Sequence, residues 1–211
     1  MKTDQLINTL ANDPWPSISP AGLLLRSLPV ALAVSAASLA LTLGFRHGWL
    51  DAMSVPLVAL KWFLPLFLGL FGLAVLLRLV RPGANASTLR HAMWLVPAGA
   101  MAAMAYAYAT TPAAGRWAAF VGESVVPCLI SIPLLSLPIL AAILLVLRHG
   151  AVLYPVKAGA IAGLTAGGLG TAIYALHCTE DSPLFFTVWY SAGIMAVTAL
   201  GAVLGNKLLR W

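Results

Sequence analysis

Six stretches of this 211-residue chain run without a single Asp, Glu, Lys or Arg: 27–45, 62–77, 91–115, 124–147, 158–179 and 182–206. The second lengthens outward if Lys61 lies at its edge. A bilayer-spanning helix needs about 20 mostly apolar residues, and these stretches fit that length. Charged residues are only 9% of the chain, where a soluble domain carries roughly a quarter. So few charges cannot cover a water-facing surface, and lipid is the expected solvent. The runs are continuous and rich in Ala and Leu, without the alternation of barrel strands. The expected fold is all-α: a polytopic membrane protein with a bundle of six transmembrane helices over 27–211, preceded by a short cytoplasmic N-terminal helix and linker over 1–26. A removable leader is not expected. The first 26 residues are long and polar, they carry Asp4 and Asp13, and five more spans follow the first.

The formal net charge of +6 does not point to nucleic acid, because its placement has another cause. With the N-terminus inside, the inner segments hold Lys2, Arg26, Arg78, Arg81, Arg90, Arg148, Lys157, Lys207 and Arg210. The outer side holds Arg46, Lys61 and Arg116. Nine against three is the bias of a positive-inside protein with short loops. Four of the six acids, Asp51, Glu123, Glu180 and Asp181, then fall outside. Both termini are expected in the cytoplasm.

The opening MKTDQLINTLAND reads as a short amphipathic helix. Thr3 suits the N-cap, Asp4 the first turn, and Leu6, Ile7 and Leu10 one face. Alone in water such a helix is marginal, so it needs a partner, a membrane surface or the bundle. Pro14, Pro16 and Pro20 are expected to break it and leave an extended linker to the first span. Lys61 is expected to snorkel outward. Pro127, Pro133 and Pro138 predict a bent or locally unwound fourth span. Gly159, Gly163 and Gly167 lie on one face of the fifth, where they admit a close helix neighbour. Ser182-Pro183 reads as an N-cap followed by proline at the first helical position. Trp49, Trp62, Trp94, Trp117 and Trp211 fall near predicted interfaces.

Between the last two spans lies HCTEDSP (177–183), expected to be an exposed outer lip whose acids mainly keep it in water. Only Cys128 and Cys178 are present among cysteines. Cys128 precedes Arg148 by 20 residues and Cys178 follows Lys157 by 21, and those two cations bracket one inner loop. At about 1.5 Å per residue both sulfurs lie roughly 30 Å above the inner boundary. They are equally two small apolar residues of membrane helices, or a pair able to form a disulfide or do redox chemistry in an oxidising space. His177, Cys178, Glu180 and Asp181, with Cys128 and Glu123, offer metal ligands, but the spaced pairs of a structural zinc site are absent. No stable metal and no cofactor are expected, whereas transient attack by a soft metal on the thiols fits the ligand type. The chain lacks the helical zinc-protease, nucleophile-elbow and phosphate-loop motifs, and no acid lies in mid-span. An enzyme is not expected, nor a small-molecule substrate. A small transporter or channel and a structural subunit of a larger membrane complex remain as alternatives.

The opening MKTDQLINTLA, the outer C-x-x-D-S-P-L-F with Trp-Tyr after it (Cys178 to Tyr190), and the closing LGNKLLRW together resemble the NrsF-type family of six-span bacterial anti-sigma factors. The resemblance covers essentially the whole chain. It implies a negative regulator of an extracytoplasmic-function (ECF) sigma factor, held with membrane lipid at the inner membrane, that releases its partner under envelope stress. The family's paired outer cysteines fall on Cys128 and Cys178, as the redox or stress-sensing residues. Its cytoplasmic segment falls on Met1 to Asp13, so Asp4, Leu6, Ile7 and Leu10 become the candidate sigma-binding residues.

Overall fold

The computed structural model describes residues 3–12, 19–79, 91, 94–150 and 152–210. Every regular element among them is a helix: α1 (Thr3–Ala11), α2 (Pro20–Thr42), α3 (Trp49–Met53), α4 (Pro56–Leu79), α5 (Leu95–Thr110), α6 (Ala113–Val121), α7 (Val125–Leu147), α8 (Pro155–Tyr174) and α9 (Pro183–Leu208). Among the described residues, five segments are long and apolar enough to cross a membrane. They are Pro20–Thr42, Pro56–Arg78, Ala113–Leu147, Pro155–Tyr174 and Pro183–Leu208. The third expected span, 91–115, is represented by the 16-residue α5. At about 24 Å it is shorter than the ~30 Å hydrocarbon layer.

The first span begins earlier than expected. Ser19 is extended and its Oγ accepts a hydrogen bond from the Gly22 N–H at 3.1 Å, with Pro20 as the first helical residue. Proline at that position sacrifices no helical hydrogen bond, so it starts α2 and does not prolong a linker. Pro133 and Pro138 do not unwind the fourth span; both lie inside the continuous α7. Ser182 occupies the cap position of α9 and Pro183 its first turn, though the serine hydroxyl does not cap.

The core divides along the bundle axis. One cluster gathers Leu24, Leu28 and Ala31 of α2, Leu76 of α4, Ile143 and Leu147 of α7, Ala158 of α8 and Leu209. The other gathers Leu39, Trp62, Cys128, Ile132, Tyr174, Cys178, Phe185 and Tyr190. Thus the start of α2 and the end of α9 share one end of the bundle, and both cysteines share the other.

Helix α8 is the hub, and glycine brings its neighbours close on several sides. A methyl group at Gly159 or Gly163 would strike the α9 backbone at Gly205 Cα (2.7 Å) or Thr198 Cα (2.8 Å), and one at Gly167 would press on Ile194. Their neighbour is therefore α9. Gly168 admits α4, where a methyl would meet Gly69 N at 2.7 Å, and Gly170 admits Ser136 of α7. On the far side of α7, the Ser35 hydroxyl of α2 donates to the Leu135 carbonyl at 2.8 Å.

Candidate functional site

The chain from Ala175 to Ser182 folds over the cysteine end of the bundle and is pinned from two directions. From the α2–α3 loop, the Arg46 N–H donates to the Leu176 carbonyl at 3.0 Å. Arg46 also forks onto Asp181, with its two terminal nitrogens 2.7 and 3.1 Å from the two carboxylate oxygens. The same guanidinium donates to the Cys178 carbonyl at 3.2 Å. From α4, Lys61 Nζ reaches Asp181 Oδ1 at 2.6 Å, the Cys178 carbonyl at 2.8 Å and the Glu180 carbonyl at 3.3 Å.

These contacts correct two expectations. Lys61 does not snorkel; it is 0% exposed. Its partners explain why, since three acceptors match the three protons of an ammonium group, and a buried ion persists where it is paired and fully hydrogen-bonded. Nor is the 177–183 segment a loosely solvated lip. Asp181 is committed to two cations. Glu180 Oε1 accepts from the Glu123 N–H at 2.8 Å. That carboxylate packs against Gly122, which has φ +54°, and a Cβ there would lie 2.7 Å from it. His177 Nδ1 lies 3.1 Å from the Gly44 carbonyl. The four residues considered as metal ligands are thus drawn to different partners, and among the described residues no group of three His, Cys, Asp or Glu could hold an ion.

Beneath this cap lie the thiols. Cys128, near the start of α7, is 0% exposed, and Cys178 is 2% exposed. Both are free and belong to one buried cluster. Cys128 Sγ is 3.3 Å from Tyr174 Oη. Tyr174 packs edge-on to Tyr190, with ring centroids 6.0 Å apart. The Tyr190 hydroxyl is buried without a hydrogen-bond partner among the described residues, in the same cluster as Cys178.

The electrostatics of the cap follow from these contacts. Burial alone would raise the Asp181 carboxyl, but the hydrogen bonds from Arg46 and Lys61 and their positive charges outweigh it and hold it below the ordinary value. The hydrogen bond to Asp181 in turn raises Arg46, against the effect of burial. The Cys178 thiol is pulled below its ordinary value. The Cys128 thiol contributes most, burial opposes it, and Tyr190, the Glu180 backbone and Lys61 add to the lowering.

The sequence profile described as negative regulator of sigma F, NrsF, matches residues 10–211. The chain belongs to the NrsF family. It is 32% identical over 213 residues to the probable anti-sigma-F factor NrsF of Azospira oryzae. It is 34% identical over 219 residues to the anti-sigma-F factor NrsF of Caulobacter vibrioides. Both alignments cover the whole of each chain. No solved structure matches.

Within this NrsF chain the sequence-named residues are differently placed. Cys128 and Cys178, 50 positions apart in sequence, come together. Asp4, Leu6 and Ile7 lie exposed on α1; the side chain of Leu10 lies outside the described ones. Gly159, Gly163 and Gly167 face α9, away from the thiols. Sequence reasoning missed Arg46, Lys61 and the two tyrosines. One signal was available for Lys61, because an ionisable residue beside a long apolar run asks for a buried partner.

Proposed function

We propose that this NrsF protein is an anti-sigma factor embedded in the bacterial inner membrane. It holds an ECF-class sigma factor on the cytoplasmic side and releases it when the Cys128–Cys178 pair reacts. The observation that carries the reading is the full-length match to relatives named as anti-sigma-F factors, in a chain whose two cysteines meet under a charged cap.

The supporting geometry begins with parity. The start of α2 and the end of α9 lie at one end of the bundle, which supports an even number of crossings. On this reading the return between α4 and α7 falls to the segment containing α5, as a sixth span. The surplus of cations among Arg26, Arg78, Arg148, Lys157, Lys207 and Arg210 supports cytoplasmic termini by the positive-inside rule. The thiols accordingly face the periplasm, where disulfides form and persist.

The sigma-binding element is α1. Its Leu6 and Ile7 are exposed, as suits a helix that docks in a hydrophobic groove. Burying these and Leu10 contributes about 4–8 kcal/mol gross at roughly 1.5–3 kcal/mol per side chain, before ordering costs. Arg78 in the last turn of α4 and Lys157 in the first turn of α8 supply further attraction. The test is co-purification from membranes. The double change Leu6→Asp with Leu10→Asp should abolish sigma capture while the protein still inserts; retained capture rejects α1 as the docking helix. For sensing, the double change Cys128→Ser with Cys178→Ser should leave a sigma-dependent reporter unresponsive to thiol stress. An unaltered response rejects the pair as the sensor.

A further inference from the structure

A lysine with no solvent exposure is an expensive choice in an apolar helix. The effective penalty for burying an ion is several kcal/mol even after relaxation, and a Met or Leu would fill the same stem volume without it. Lys61 is nevertheless buried between Trp62 and the 178–181 backbone. Its ammonium is oriented by Asp181 at 2.6 Å and seated on the carbonyl of Cys178 itself at 2.8 Å. A purely structural clasp is already present in Arg46, which binds the same carbonyl and the same carboxylate. What the second cation adds is a fully buried positive charge held on the Cys178 peptide.

The groups around Cys178 come from every neighbouring element. Helix α7 presents Cys128, α8 ends at Tyr174, α9 presents Tyr190, α4 presents Lys61, the α2–α3 loop presents Arg46, and Glu180 flanks it in its own loop. His177 stacks against Tyr174 with centroids 6.1 Å apart. Cys128, in contrast, sits on the helix side of the pair beside Tyr174. The two thiols are therefore unequal.

We propose that Lys61 is a positioning residue for thiol chemistry, which makes Cys178 the thiol that reacts first and leaves Cys128 as the resolving partner. This rests on the reading that the pair is the reactive element of the protein. With a low-molecular-weight disulfide as oxidant, the Cys178 thiolate attacks one sulfur. The reagent's S–S bond breaks, a Cys178 mixed disulfide forms and one reagent thiolate leaves, taking up a proton. Cys128 then gives up its proton and attacks the Cys178 sulfur, and the second reagent thiol departs. Two protein thiols are oxidised to one disulfide, and one reagent disulfide is reduced to two thiols. Asp181 keeps Lys61 charged and aimed throughout.

The experiment follows N-ethylmaleimide alkylation against pH on the full-length protein in lipid nanodiscs. This reagent is small and apolar enough to reach a buried site, and its rate follows the thiolate fraction. Four chains are compared: C128S, which leaves Cys178 alone; C178S, which leaves Cys128 alone; and C128S combined with K61M or K61R. C128S should react at least tenfold faster than C178S at pH 7, with a midpoint below that of an ordinary thiol near ~8.5. K61M should raise the C128S midpoint, and K61R should restore most of the shift. A structural clasp would alter stability in K61M without moving the midpoint, and that outcome overturns the proposal. So does faster reaction of Cys128 than of Cys178, which is read without touching Lys61 and so decides the matter even where K61M fails to fold. The sigma reporter separates the two levels: an intact thiol hierarchy with an unresponsive pair rejects sensing, whereas a lost hierarchy with intact sensing rejects only the role of Lys61.

Discussion

Changing Asp181 to Asn tests the physics of the cap most directly. The substitution keeps the size and one acceptor oxygen but removes the charge that Lys61 and Arg46 share. Removing one partner of a fully buried ion pair costs about 3–5 kcal/mol, because the other charge is stranded. An exposed pair is worth about 0–1 kcal/mol. Here the cation is 0% and the carboxylate side chain 37% exposed, so solvent screens part of the interaction and the expected loss is about 2–3 kcal/mol. Reversible unfolding in mixed micelles, followed by tryptophan fluorescence, reads this out. K61M with D181N should cost less than the two single changes summed, by about 1–2 kcal/mol of coupling. The pH dependence has a fixed sign. The folded Asp181 carboxyl lies below its ordinary value of 3.8. Its stabilisation is therefore complete above about pH 5 and is lost as pH falls from ~4 through the lower folded value. The parent should converge on D181N in strong acid and exceed it by a constant margin from pH 5 upward. A D181N protein within about 0.5 kcal/mol of the parent at pH 7, or strict additivity with K61M, refutes the cap as an energetically coupled unit.

Two further outcomes test the packing. Gly163→Val places methyl groups against Thr198 Cα and the Val197 carbonyl of α9; backbone cannot yield as a side chain tip can, so a loss of about 1–3 kcal/mol is expected in the same unfolding assay. Ser35→Ala removes the hydroxyl donated to Leu135 O at 2.8 Å, and because that carbonyl belongs to a helix, the loss should stay near ~0.6 kcal/mol.

Much of the fold was legible because hydropathy and charge act over the whole length of a span. The apolar lengths and the placement of Arg148, Lys157 and Lys207 located α7, α8 and α9, and equal depth along α7 and α8 brought Cys128 and Cys178 to one end. Less legible was anything decided by a partner far away in sequence. Lys61 looks like an edge residue because hydropathy reads a charge as the end of a span. Its burial depends on Asp181, 120 positions later. The same holds for the 177–183 segment, where acids next to a turn read as solvated until Arg46 and Lys61 are seen to neutralise one of them. Pro20 carries two meanings, helix breaker and helix starter, and the Ser19 hydroxyl on Gly22 decides between them. The glycines of α8 show a third limit. A four-residue spacing fixes that Gly159, Gly163 and Gly167 share a face, but Gly168 and Gly170 open other faces, and spacing alone does not say which neighbour takes which.

The tight seams around α8 bear on how a reaction at the thiols could be felt elsewhere. The Cys178 carbonyl is gripped by Lys61 of α4 and by Arg46 at the end of the α2–α3 loop, so a displacement of that peptide must either break charge-assisted hydrogen bonds or carry both elements with it. Farther along, α4 is seated on α8 through Gly69 on Leu169 and Gly72 on Thr165. Backbones in such close register slide or tilt as units, because packed interfaces switch between discrete arrangements and do not deform smoothly. From Lys61 to Arg78 the helix runs about 25 Å, the distance that separates the thiols from the loops proposed to meet the sigma factor. A trigger that changes only the charge of the pair, leaving the Cys178 peptide in place, would leave this lever still. One that joins the sulfurs draws the 178 backbone toward α7 and against its two cations. On this geometry a disulfide or a bridging soft metal should release the sigma factor, whereas alkylation of Cys178 by a reagent small enough to leave its carbonyl in place should not.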